Sequence, residues 1–86
     1  MTLKDKFVAA QDSVQKLAQR PSNEQLLELY ALYKQATAGD ASGSRPGLFD
    51  LKGRAKFDAW ATRKGLSKDG AMKAYVGLVD QLTKLG

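Results

Sequence analysis

Ala38–Phe49 reads AGDASGSRPGLF, and this stretch decides how the rest of the chain can be arranged. Glycines at 39, 43 and 47 and a proline at 46 break any helical or alternating apolar pattern, so the segment is a connection. At about 3.3 Å per residue it extends to roughly 40 Å. A helix of about 15 residues is only about 22 Å long. Such a link crosses a whole bundle and lets the elements on either side of it run in the same direction. The links at about 18–22 and about 65–67 are short, which favours antiparallel neighbours.

Outward from the link, four segments have helical periodicity and none reads as a strand. In the first, Leu3, Phe7, Ala10, Val14 and Leu17 fall on one stripe, with Thr2 and Asp5 as a start signal. The second opens after Pro21, with Ser22 and Gln25 in capping-box positions, and runs to about Thr37. The third runs from about Asp50 to Lys64, where Gly65 supplies the stop. Ser67 caps the fourth, whose Ala71, Tyr75, Leu78, Val79 and Leu82 lie opposite Lys73, Asp80 and Lys84. The expected fold is all-α: a four-helix, up-down-down-up bundle, one domain over residues 1–86, with a long crossover between helices 2 and 3.

Composition narrows the function. The chain has neither Cys nor His, which removes the thiolate nucleophile, the commonest general base and the commonest metal ligand. No phosphate-binding P-loop or dinucleotide-binding glycine fingerprint is present. Residues 1–10 lack the apolar centre of a secretory signal, and no run approaches the roughly 20 apolar residues of a membrane span. The expected location is cytoplasmic. The net charge of +5 is concentrated: residues 45–73 hold eight Lys or Arg against Asp50, Asp58 and Asp69. A local excess of cations points to an anionic partner, which composition leaves open among nucleic acid, anionic lipid and a phosphorylated small molecule.

Three helices carry candidate binding residues. The apolar residues of the second, Leu26, Leu27, Leu29, Tyr30, Leu32 and Tyr33, occupy well over half the wheel. Either this helix is sandwiched between neighbours or part of its arc lines a ligand groove, and periodicity leaves both open. Tyr30, Tyr33 and Lys34 lie within about 100° of one another, bringing two rings and a cation toward one ligand. On the third helix, Lys52, Lys56 and Arg63 fall within about 40° as a basic stripe, beside Phe57 and Trp60, which read as core. Tyr75 lies mid-face on the fourth helix, where packing alone accounts for it and contact with an elongated apolar ligand is the alternative.

Linear motifs add what periodicity does not. Tyr30–Asp40, YALYKQATAGD, resembles the Y-x-x-Y-K-Q-A-T-x-G-D signature of the acyl-CoA-binding protein family. RPG at 45–47, DLKGRAKFDAW at 50–60, KGLSK at 64–68 and AMKAY at 71–75 continue the resemblance in order over nearly the whole chain. It implies a four-helix bundle whose bowl takes the coenzyme A head group and folds the acyl chain against the protein. By motif match, Tyr33 stacks on adenine, Tyr30, Lys34 and Lys56 bind the ribose 3′-phosphate region, Tyr75 contacts the bound acyl-CoA, and Lys52 adds a further contact.

The resemblance therefore implies a non-catalytic carrier and pool former for medium- to long-chain acyl-CoA, which is a carried ligand rather than a cofactor. A monomer is expected, with no metal, no nucleic acid, and transient contact with membranes or acyl-CoA-using enzymes. Gln15, Phe57 and Gly70 depart from the family pattern, where lysine, tryptophan and an acidic residue are frequent. The competing readings are a small basic nucleic-acid-binding bundle, resting on the localised charge, and a thioesterase or acyltransferase, disfavoured by the missing His and Cys.

Overall fold

Thr2 and Ser22 each close a reciprocal capping box. Thr2 Oγ1 accepts from the Asp5 amide at 3.1 Å while the Thr2 amide donates to Asp5 Oδ2 at 3.3 Å. Ser22 and Gln25 repeat the exchange at 3.1 and 2.9 Å. Two otherwise orphan donors are satisfied at each start, and these boxes open α1 (Leu3–Gln15) and α2 (Asn23–Ala38). Asp50 caps α3 (Leu51–Ala61) by accepting from the Gly53 amide at 3.0 Å. A Cβ at 53 would overlap the Asp50 carboxylate, so this cap and a bare backbone at 53 go together. Ser67 Oγ accepts from the Gly70 amide at 2.9 Å at the start of α4 (Lys68–Leu85). The structure, a computed structural model, describes residues 1–85, and all four elements among them are helical.

Contacts between helices set the directions. Lys56 lies over the Tyr30 ring and Lys34 over the Trp60 ring, so an advance of four residues on α2 matches four on α3 and the two run parallel. The crossover at 39–50 has the length this requires. At the C-terminal end of α2, Gln35 Nε2 donates to the Leu66 carbonyl at 2.8 Å, beside the start of α4, which therefore runs back along α2. The short link after α1 makes α1 antiparallel to α2, completing the up-down-down-up arrangement.

The core is one cluster contributed by α1, α2 and α4: Phe7 and Ala10, then Leu29, Leu32 and Ala36, then Ala71, Tyr75 and Val79. These are the faces that the apolar spacing marked. Helix α3 is attached separately through buried Trp60, whose indole N–H donates to the Gly39 carbonyl at 2.7 Å. It ends earlier than the Gly65 signal suggests. After Ala61 the backbone tightens into i→i+3 bonds, Arg63 N to Trp60 O at 3.0 Å and Leu66 N to Arg63 O at 3.0 Å, before Gly65 at φ +91° turns the chain. The basic stripe consequently loses Arg63, which lies beyond the helix, half-buried, with its Nε unpartnered.

One polar knot joins three segments. Asp40 Oδ1 accepts from Gln35 Nε2 at 2.8 Å and from the Gly65 amide at 2.9 Å. Gln35 is 1% exposed, the only buried polar residue among those described. Its two donations tie the end of α2 to the start of the crossover and to the α3–α4 turn. The Gly65 amide first, then Gln35, hold the Asp40 carboxyl below its usual value near 3.8 against an opposing desolvation, with the least help from Lys64.

A depressed folded-state pKa means that the charge of Asp40 stabilises the fold fully above about pH 4, and that this contribution is lost as pH falls through the lower folded value. Asp40→Asn keeps an acceptor but removes the charge. Urea denaturation should find the variant less stable at about pH 6, with the gap closing below about pH 4. A gap that persists unchanged at about pH 2 contradicts the assignment.

Candidate functional site

Helices α1 and α2 are consecutive, yet both pack on α4, and among the described residues no Cα of α1 comes within 8 Å of a Cα of α2. The space between them is a cleft of about 620 Å³. Its walls are Val14, Gln15 and Leu17 from α1 and its following link, and Leu26, Leu29, Tyr30 and Tyr33 from α2. Arg20 and Pro21 close one end and Tyr75 of α4 contributes from below. Helix α2 is thus both sandwiched, between α4 and α3, and cleft-lining. The width of its apolar arc reflects both duties.

Phe7 organises the aromatic side of this cleft. Its ring stacks on Tyr33 with centroids 6.1 Å apart and meets Tyr75 edge-on at 5.1 Å and 79°. Tyr33 remains 39% exposed and Tyr75 only 5%. Burial, then the neighbouring Tyr33 phenol, pushes the Tyr75 hydroxyl above the usual tyrosine value. Tyr33 therefore offers an accessible aromatic surface, whereas Tyr75 is a core residue with one edge on the cleft.

The cations flank the cleft on the α3 side. Lys56 Nζ sits 5.3 Å from the Tyr30 ring centroid, at the cleft's aromatic wall. Lys34 shares the α2 wheel position anticipated for it but turns toward α3, 4.8 Å from the Trp60 centroid. Lys52 is exposed one helical turn before Lys56. The two ion pairs among the described residues are Asp12 with Lys16 and Arg45 with Asp58. No carboxylate neutralises Lys34, Lys52 or Lys56 in either of them.

The structure thus brings Tyr30, Tyr33 and Tyr75 into one cleft with Lys56 at its edge, and places Lys34 and Lys52 along the adjoining α2–α3 surface. Gln15 and Arg20 were not selected from sequence as contacts, yet both line the cleft. Position 15 is one where the family resemblance places a lysine near the ligand, a contact not expected of Gln15, whereas Arg20 carries no signal beyond its place in the link between α1 and α2. A second cavity of about 720 Å³ lies between α1 and α4, lined by Lys6, Ala9, Ser13, Val76 and Asp80 among others. It is larger, but no aromatic residue lines it. Among the described residues no group of three His, Cys, Asp or Glu is placed to hold a metal ion, and no helix is long and apolar enough to cross a membrane.

Comparison with known proteins matches this arrangement to one family. The family described as acyl CoA binding protein matches residues 4–79. The chain belongs to the acyl-CoA-binding protein family. Its relatives include the acyl-CoA-binding protein homolog of Manduca sexta, 55% identical over 95% of this chain and 92% of the relative. The acyl-CoA-binding protein of Brassica napus is 52% identical over 95% of this chain and 89% of its own length. The crystal structure of Oryza sativa acyl-CoA-binding protein 2 superposes with a TM-score of 0.93 at 43% identity, covering 98% of this chain and 93% of that one. The solution structure of the yeast protein gives 0.68 at 46% identity, over 95% and 91%.

Tyr75 supplies a test of the site's geometry. In a spectrophotometric titration, part of the phenolate absorbance should develop above the usual tyrosine value near 10. Tyr75→Phe should delete that late component. A late component that survives in Tyr75→Phe would mean that Tyr75 is more solvated than its packing against Phe7 implies.

Proposed function

We propose that this member of the family binds medium- to long-chain acyl-CoA thioesters in the α1–α2 cleft and carries them without turning them over. The observation that supports this most is the pairing of an accessible tyrosine face with three lysines uncompensated by carboxylates beside one apolar cleft. Coenzyme A has the matching parts: a flat adenine, several phosphate charges and a flexible thioester-linked tail. In this reading Tyr33 stacks on adenine, while Tyr30, Lys34 and Lys56 hold the ribose 3′-phosphate region. Lys52 adds a longer-range attraction, and Tyr75 borders the bound ester. The lining of Val14, Leu26 and Leu29 offers apolar surface to the ligand.

The lysines must exchange partners on binding. For Lys56, exposed over the Tyr30 ring, the cation–ring contact gains about 0.5–1 kcal/mol, whereas a hydrogen bond to a charged group contributes about 1.5–3 kcal/mol. The exchange therefore favours the phosphate for Lys56. Until then Tyr30 and Trp60 keep Lys56 and Lys34 near the place where a phosphate arrives. Without Arg63 the basic stripe on α3 shortens to Lys52 and Lys56, which weakens the support for a nucleic-acid-binding bundle. With no His and no Cys in the chain, a carrier is favoured over a thioesterase. A monomer acting in the cytoplasm, exchanging ligand with membranes and acyl-CoA-using enzymes, fits this role.

Tail burial sets the selectivity. Each CH₂ fully removed from water contributes about 0.8 kcal/mol, so two carbons add up to about 15-fold in affinity. Isothermal titration should give a one-to-one complex with palmitoyl-CoA far tighter than with free coenzyme A. Equal affinities would refute the carrier reading. Lys56→Ala should weaken both ligands by a similar factor, about tenfold, because it removes a head-group cation and leaves the tail contacts in place. If the variant loses affinity for palmitoyl-CoA alone, Lys56 serves the tail and not the head group.

A further inference from the structure

Leu48 is 74% exposed, Phe49 100% and Leu51 75%, three large apolar side chains within four consecutive residues. Their positions follow from local bonding. The Asp50 amide donates to the Gly47 carbonyl at 3.0 Å, closing a turn that sets Leu48 and Phe49 at its two corner positions, where polar or small residues are usual. Arg45 holds the approach to this turn through two bonds to Asp58, 2.9 Å from Nε and 2.6 Å from Nη2. Asp50 fixes the exit as the α3 cap. The apolar tip is therefore braced on both sides. Nothing in the core uses it.

We infer that this tip is a membrane-docking wedge, with Leu48 and Phe49 entering the headgroup boundary of an anionic phospholipid bilayer. The choice of occupant rests on shape and charge. The tip projects as a turn corner and comprises only three apolar side chains, which falls well short of the roughly 800 Å² per partner of a stable protein interface. Its surroundings are basic: Lys52 and Lys56 are exposed on the first turns of α3, and Arg54 lies between them. Asp50 and Asp58, the carboxylates of this region, are engaged as a cap and in the pair with Arg45. An apolar tip followed directly by exposed cations on α3 matches a surface that is apolar within and negative at its face. This inference rests on the carrier reading, to which it assigns the partner from which acyl-CoA is taken up. Docking on α3 would bring Lys56, at the edge of the ligand cleft, toward the lipid that holds the ligand.

Ligand-free full chain is mixed with phosphatidylcholine vesicles containing about 30% phosphatidylserine, and partition is read by co-sedimentation. The wild type should partition measurably, less at higher salt and less onto pure phosphatidylcholine. Phe49→Ser and Leu48→Ser/Phe49→Ser should lower the partition coefficient about tenfold or more, while Val8→Ser, an exposed apolar residue on α1, should leave it within about twofold. Palmitoyl-CoA affinity of the same variants, titrated without vesicles, should stay within about twofold of wild type. No vesicle binding by wild type, or unchanged partition of the double variant, overturns the wedge. Loss of palmitoyl-CoA affinity in solution would instead make the tip a cover for the ligand, and a concentration-dependent dimer abolished by Phe49→Ser would make it a self-contact. Wild type that docks on vesicles yet fails to bind palmitoyl-CoA would leave the wedge standing and refute the carrier reading.

Discussion

The arrangement of α2, α3 and α4 depends on the polar knot at the C-terminal end of α2. Gln35 is buried and donates both to Asp40 and to the Leu66 carbonyl, and Asp40 in turn takes the Gly65 amide. Beside it, the Trp60 indole donates to the Gly39 carbonyl. The end of α2, the start of the crossover, the end of α3 and the approach to α4 are thus held at one place by directional bonds. Leaving the buried Gln35 Nε2 donor unpaired would cost about 1–3 kcal/mol, so its two bonds favour one arrangement among those that apolar burial alone permits. Residues 30–40 therefore do two jobs in one linear motif. Tyr30 and Tyr33 face the cleft, while Gln35, Gly39 and Asp40 fix the geometry of the helices around it.

From that constraint follows the site. With α3 parallel to α2 and in register, Lys56 falls on Tyr30 and Lys34 on Trp60. With α4 as the shared partner of α1 and α2, those two helices stay apart, and the gap becomes a cleft with Tyr75 beneath it. Phe7 spans the gap at one point and braces both Tyr33 and Tyr75. The cleft arises from connectivity: short links place α1 and α2 next to each other in sequence while α4 keeps them apart in space.

Features governed by local chemistry were legible in the sequence. The start signal at Thr2, the capping box at Ser22 and the cap at Ser67 involve residues three apart, and the glycine- and proline-rich crossover was long enough to allow parallel helices. Tyr30, Tyr33 and Tyr75 meet in the structure, and Lys56 joins them, although on a wheel Tyr75 was explained equally well by packing. Features governed by tertiary context were not legible. Gln35 sits between Leu32 and Ala36 on the apolar side of α2, and the partners of its buried Nε2, the Leu66 carbonyl and Asp40, lie distant from or outside that helix, while its Oε1 is left without a partner. Arg63 left the basic stripe because the i→i+3 turn ends α3 before Gly65 is reached. Lys34 turned toward Trp60 because α3 supplies a ring there, which no property of α2 reveals.

The central claim is that the ligand occupies the α1–α2 cleft and not the larger, non-aromatic cavity between α1 and α4. Amide and side-chain chemical shifts followed by NMR during titration with a long-chain acyl-CoA test this most directly. The account predicts the largest changes at Gln15, Tyr30, Tyr33 and Tyr75, with Lys34 and Lys56 moving as they leave their aromatic partners. Changes concentrated instead at Ala9, Ser13, Val76 and Asp80, with the tyrosines undisturbed, would contradict it.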